Sequence, residues 1–301
     1  MTASPLIEEE PAFLELCEAL AWRLSRRVSG ARPGQHRGRH AGVEGTFNDL
    51  SPLFRHPDPR RMDIRRTVAD PFGETWVRRF AMPSTVTLHL IVDLSSSIAA
   101  SGATDRHRLA GLLAGAFAGA VRLSGDACAL AIAQGDAAEV VLSPGRDRGR
   151  VQAARDAVEA ARPSGRGVEG LVRLAHLTPL HRTLVVLISD FEITGEEAER
   201  LLAAFGSHAL LPLWLRDSAL EAEELQHPGR VPRLLRLTDP ETGQARTSVV
   251  TPARWDRWRR QRELQREEVA VAFHRHGRDP VEIRDRIAPI DLAAELARRA
   301  L

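Results

Sequence analysis

The chain has 301 residues, 43% hydrophobic and 27% charged, which is the balance of a globular protein and not of a disordered one. Arginine supplies the whole basic count of 42 against 40 acids, so the net charge is only +2. With no lysine and no tyrosine, a Walker-A phosphate loop, a Schiff-base enzyme and phenol acid–base chemistry are excluded.

Residues Pro11 to Val28 carry Phe13, Leu16, Cys17, Leu20, Leu24 and Val28 at three- and four-residue spacing, which predicts an amphipathic helix ended by Gly30 and Pro33. Glu8, Glu9 and Glu10 stand where a leader's basic and apolar regions would be, and no run approaches the roughly 20 apolar residues of a membrane span. A soluble, cytoplasmic protein with no membrane contact is the expectation, with Cys17 and Cys128 as reduced core thiols. Residues 31–80 are rich in Gly, Pro, His and Arg and lack apolar periodicity. They read as an irregular extension, either a surface segment with local ion pairs or a basic docking face that includes Arg60 and Arg61.

From Ser84 strands and helices alternate. Strands are expected at Val86–Val92, Ala127–Ala133, Glu139–Leu142, Leu184–Ile188 and Ala209–Leu215. Helices are expected at His107–Leu123, Arg150–Ala161, Val168–Leu177 and Glu196–Phe205. Continuous apolar strands separated by helices indicate a doubly wound α/β domain with a mostly parallel sheet. Beyond it, Asp239-Pro240-Glu241-Thr242-Gly243 marks a turn between short strands. Thr251-Pro252 opens a long helix closed by Gly277, with Trp255 and Trp258 expected inward and the arginines outward. Val281–Ile283 reads as a last strand, and Asp291 as the cap of a last helix running to Arg299. These pieces are too few for a core of their own and are assigned to the same sheet. The chain divides into 1–83 (helix and extension) and 84–301 (α/β domain).

Ligands of such folds bind beyond the carboxyl ends of the strands. Asp93 and Asp190 stand there, and Asp93 opens Asp93-Leu94-Ser95-Ser96-Ser97. A strand-end carboxylate with hydroxyls two and four residues on is an oxygen-only set suited to a hard cation such as Mg²⁺. A plainer role for Asp93 is to cap the turn that follows.

The Asp93–Ser97 pattern resembles the metal-ion-dependent adhesion site of von Willebrand factor A domains, with Asp190 at its second acidic position. Gly34–Arg39, Phe47-Asn48-Asp49-Leu50, Asp58–Ile64, Arg78-Arg79-Phe80 and Leu215-Arg216-Asp217 resemble segments of the DUF58 family, in which a von Willebrand-like domain follows the first of them. The resemblance implies that fold, non-enzymatic protein binding, a protein client, and a MoxR-type AAA+ ATPase that the chain serves as adaptor or co-chaperone. It implies that Asp93, Ser95, Ser97 and Asp190 hold Mg²⁺ with a position open to a partner carboxylate. The sequence departs from the family in having Ile64 where Trp is usual and no Tyr near Phe54. It also lacks the Thr of the usual Gly-Gly-Thr loop: the loop here is Pro163-Ser164-Gly165-Arg166-Gly167-Val168, with Arg166 or Gly167 at that position. Two forms stay open, one metal-competent and one metal-free with the Arg166 guanidinium as stand-in.

Two rival functions are weighed. A metal-dependent phosphohydrolase with an aspartyl nucleophile needs a second acid two residues on, where Ser95 stands. An Arg-rich nucleic-acid-binding protein fits poorly with a charge of +2 and 5% aromatics.

Overall fold

The computed structural model describes residues 13, 15–18, 20, 36–84, 86–100, 102–180, 183–225, 233–238 and 245–298. The ends expected for the first helix, the turn at 239–243 and Arg299 lie outside them. The first helix is present at residues 13, 15–18 and 20 (α1).

Six strands form the main sheet: β3 (Thr87–Asp93), β4 (Ala127–Gln134), β5 (Ala137–Gly145), β6 (Thr183–Ser189), β7 (Ala209–Arg216) and β10 (Val281–Arg284), in the order β10-β7-β6-β3-β4-β5. All pairs are parallel except β4 with β5. Renumbered within the sheet this is 3-2-1-4-5-6, the doubly wound order, with its switch point between β3 and β4 on one side and β6 on the other.

Both faces are covered, which is why the strands read as unbroken apolar runs. Leu88, Leu90 and Val92 of β3 and Leu184, Val186 and Ile188 of β6 join one core with α3 (Arg106–Leu123). Ile91, Val185 and Leu187 join the other core with α5 (Glu169–Leu177) and α6 (Gly195–Ala204). The alternation follows from the two-residue period of a strand. Leu16, Cys17 and Leu20 of α1 lie in the first core. Cys17 and Cys128 are both buried free thiols, pushed up by burial to about 11 and about 12. Small residues let α3 sit close to its neighbours: a Cβ on Gly119 would fall 2.6 Å from Cys17 Sγ.

Four expectations are corrected. The segment read as an irregular Arg/Gly-rich extension contains an antiparallel ribbon of β1 (His36–Pro52) and β2 (Trp76–Ser84), with α2 (Ile64–Val68) between them. Its register shifts interrupt the two-residue period by which a strand is recognised in sequence. The hairpin of β8 (Arg233–Thr238) and β9 (Ala245–Val250) forms its own two-stranded sheet, and only β10 joins the main one. The long helix α8 (Pro252–Arg275) buries only Val269, Ala272 and Phe273, leaves Trp258 exposed, and turns Arg262 inward to an ion pair with Glu192. The last helix, α9, starts at Pro289, so Asp291 lies in its first turn and is not its cap.

Candidate functional site

The parallel register Val92↔Ile188 sets the ends of β3 and β6 side by side, so Asp93 and Ser189 meet at the rim. Asp93 Oδ2 accepts the Ser189 hydroxyl at 2.7 Å, and Oδ1 accepts the Ser95 amide at 3.0 Å. Burial pushes the Asp93 carboxyl up, against the bonds from Ser189 and Ser95. Ser97 Oγ donates to Asp190 Oδ1 at 3.1 Å, and Ser95 Oγ lies 3.1 Å from Ser97 Oγ. The four residues singled out by the sequence are therefore brought together.

A fifth joins them. Arg106 Nη1 lies 3.0 Å from Asp190 Oδ2, with the guanidinium and carboxylate both removed from solvent. The contact is an ion pair without an aligned hydrogen bond, since Oδ2 is buried with no hydrogen-bond partner. Arg106 Nη2 donates to the carbonyls of Ser97 at 2.6 Å and Ala100 at 3.1 Å, tying the Asp93–Ser97 turn to Asp190. Burial raises the Asp190 pKa to about 7; Arg106 acts against that, while Asp93 and Glu192 add to it.

The start of α3, which carries Arg106, is held from two sides. Asp105 caps it by accepting the Arg108 amide at 3.0 Å. Asp217, at the end of β7, accepts the amides of Gly102, Ala103 and Thr104 before α3 and those of Ala219 and Leu220 in α7 (Ser218–Leu225). Burial works to raise the Asp217 carboxyl, but these amide bonds outweigh it and leave the group below the usual carboxylate range.

The Pro163–Val168 loop is stitched to the rim through its backbone. Ser164 N–H donates to Leu94 O at 2.9 Å, and Ser96 N–H donates to Gly165 O at 3.0 Å. Gly135 and Gly165 both have positive φ, and a Cβ on either would come within 2.9 Å of the other's Cα. Arg166 is exposed, and the guanidinium paired with Asp190 is that of Arg106. Arg60 and Arg61 lie apart from the rim in sequence, in a 3₁₀ turn capped by Asp58; Arg60 is exposed, and Arg61 is paired with Asp58 at 3.0 Å.

Mg²⁺ wants several free oxygens in near-octahedral array. Here the remaining Asp190 oxygen already faces the Arg106 guanidinium at 3.0 Å, and the loop at 163–168 brings backbone groups, not a hydroxyl, to the rim. The residues in this arrangement do not fit a divalent ion. Among the described residues, no group of three or more His, Cys, Asp or Glu side chains could hold a metal.

Reading from the residues alone missed Arg106, Ser189 and Asp217. Arg106 left one trace: a cation in the first turn of a helix opposes the macrodipole and calls for a nearby carboxylate. Asp217 left another, as a strand-end acid just before a helix.

The strand order, the single antiparallel edge and this rim define a von Willebrand factor A-like domain. The family described as "Protein of unknown function DUF58" matches residues 57–269, and the chain belongs to it. A Paracoccus denitrificans protein described as "Uncharacterized protein in moxR 3'region" is 43% identical over 113 residues, which is 36% of this chain and 100% of that one. Two solved structures are similar at lower identity. The conserved hypothetical protein BatB from Bacteroides thetaiotaomicron is 16% identical, with a TM-score of 0.44 over 71% of this chain and 98% of its own. The SpRpn10 VWA domain is 11% identical, with a TM-score of 0.38 over 72% of this chain and 95% of its own.

Proposed function

We propose that the protein is a non-enzymatic adaptor that binds a MoxR-type AAA+ ATPase and brings it a protein client. The observation that carries this reading is the relative encoded in a moxR 3' region, matched over its whole length.

The surface between residues 54 and 72 supports it. Phe54, Ile64, Val68 and Phe72 are all exposed, Phe72 to 88% and Val68 to 81%. Ile64 and Val68 are one turn apart on α2 and share a face. Exposed large apolar groups in one stretch mark an interaction surface. The three acids of the stretch are engaged internally: Asp58 with Arg61, Asp63 with Arg78 and the α2 amides, and Asp70 with the amides of Phe72 and Glu74. Arg55, Arg60 and Arg65 are exposed beside them, so the surface suits an apolar patch with acidic neighbours on the ATPase. Arg166 offers a second basic contact at the rim.

Co-elution of the purified chain with a purified MoxR-type ATPase tests the reading. Retention by the wild type and loss in Phe72→Ser/Arg60→Glu is the expected result. No retention by the wild type in any nucleotide state would overturn it, and turnover of simple phosphate esters would favour the hydrolase.

A further inference from the structure

We propose that Arg106 is the resident cation of the rim, filling the role that Mg²⁺ has in an adhesion-type site, so that the rim is complete without a divalent ion. The assignment concerns the site alone and holds whichever partner the protein serves.

The guanidinium joins the two chain segments that a metal would join. Nη1 meets Asp190, beyond β6, and Nη2 meets the carbonyl of Ser97 in the turn beyond β3. Arg106 is 4% exposed and Asp190 3%, so this is a buried, preorganised pair and not a chance surface contact. Its position is fixed independently of Asp190, because Asp105 caps α3 and the five amide bonds to Asp217 clamp the segments around its start. A guanidinium does not give up its proton, so it cannot make room electrically for a dication beside it. The positive end of α3 adds to that repulsion. The loop that would supply the missing hydroxyl ligand contributes backbone bonds instead, through Ser164 and Gly165. An acidic partner side chain therefore finds no open coordination position here, and chelators leave the site intact.

The test is calorimetric titration of the whole protein with Mn²⁺ and Mg²⁺, beside Arg106→Gln and Arg106→Gln/Asp93→Ala. The wild type should give no saturable heat, and its melting temperature should be the same in EDTA and in millimolar Mg²⁺. Arg106→Gln, which keeps a polar side chain but removes the charge, should acquire one saturable Mn²⁺ site that the double variant loses. Saturable binding by the wild type, abolished in Asp93→Ala, overturns the assignment. A folded Arg106→Gln protein that binds no Mn²⁺ overturns it equally, since the missing hydroxyl and not the arginine would then be what keeps metal out. If Arg106→Gln does not fold, the wild type decides: a rise in melting temperature with Mg²⁺ rejects the inference, and unchanged melting upholds it.

Discussion

Arg106 and Asp190 face each other across 3.0 Å at the sheet rim, each closed to solvent. Removing one member of a buried pair strands the other's charge. We expect Arg106→Ala to cost about 3–5 kcal/mol in urea unfolding. Arg106→Met/Asp190→Leu should cost less than Arg106→Ala, because no charge is then left alone. Equal losses would mean that the bonds from Arg106 to the Ser97 and Ala100 carbonyls carry the effect.

Asp217 makes stability depend on acid. Its carboxyl is held below the ordinary value in the folded state, so the unfolded chain takes up the proton first as pH falls. The stabilisation is complete above the ordinary Asp value and is lost as pH drops through the lower folded value. Melting temperatures of the wild type and Asp217→Asn should therefore differ most at neutral pH and converge below about pH 4. A constant gap at all pH values would contradict this.

Two helical glycines should answer alanine in opposite ways. In α5, a Cβ on Gly170 would lie 2.3 Å from Ala137 O and 2.6 Å from Gly135 O, both backbone atoms of the β4–β5 turn. Overpacking of about 1–3 kcal/mol is expected for Gly170→Ala. In α3, a Cβ on Gly111 would meet Glu159 Cγ at 3.0 Å, a side-chain contact that a shift of a few tenths of an ångström relieves, with the backbone no nearer than Arg155 O at 3.5 Å. Gly111→Ala should be neutral or gain up to about 1 kcal/mol of helix propensity. Denaturant midpoints at equal slope would check both.

The exposed side chains of α2 should matter for contact and not for folding. Ile64→Ser/Val68→Ser is expected to change stability by no more than about 0.5 kcal/mol, read by thermal melting. A large loss would show that α2 supports the ribbon beneath it.

The doubly wound sheet was legible because burial on both faces writes each strand as an apolar run, as in Leu184–Ile188. Asp93, Ser95, Ser97 and Asp190 were legible because strand ends are predictable from those runs. The ribbon was not, since its strands show no apolar alternation in sequence, as the stretch from His36 to Gly45 shows. Arg106 was not, because its partner lies 84 positions away in sequence and becomes a neighbour only when β3 and β6 pair. The loop arginine at 166 looked better placed by position alone.

Phe191 follows Asp190 with φ of +45°, and its ring stands edge-on to Phe273 at 4.9 Å and to Trp214 at 5.8 Å. The residue in this bend, next to Asp190, is thus in contact with a side chain of α8, far along the chain. Phe273 of α8 therefore packs against the residue next to Asp190, so that helix reaches the rim of the sheet through a ring contact.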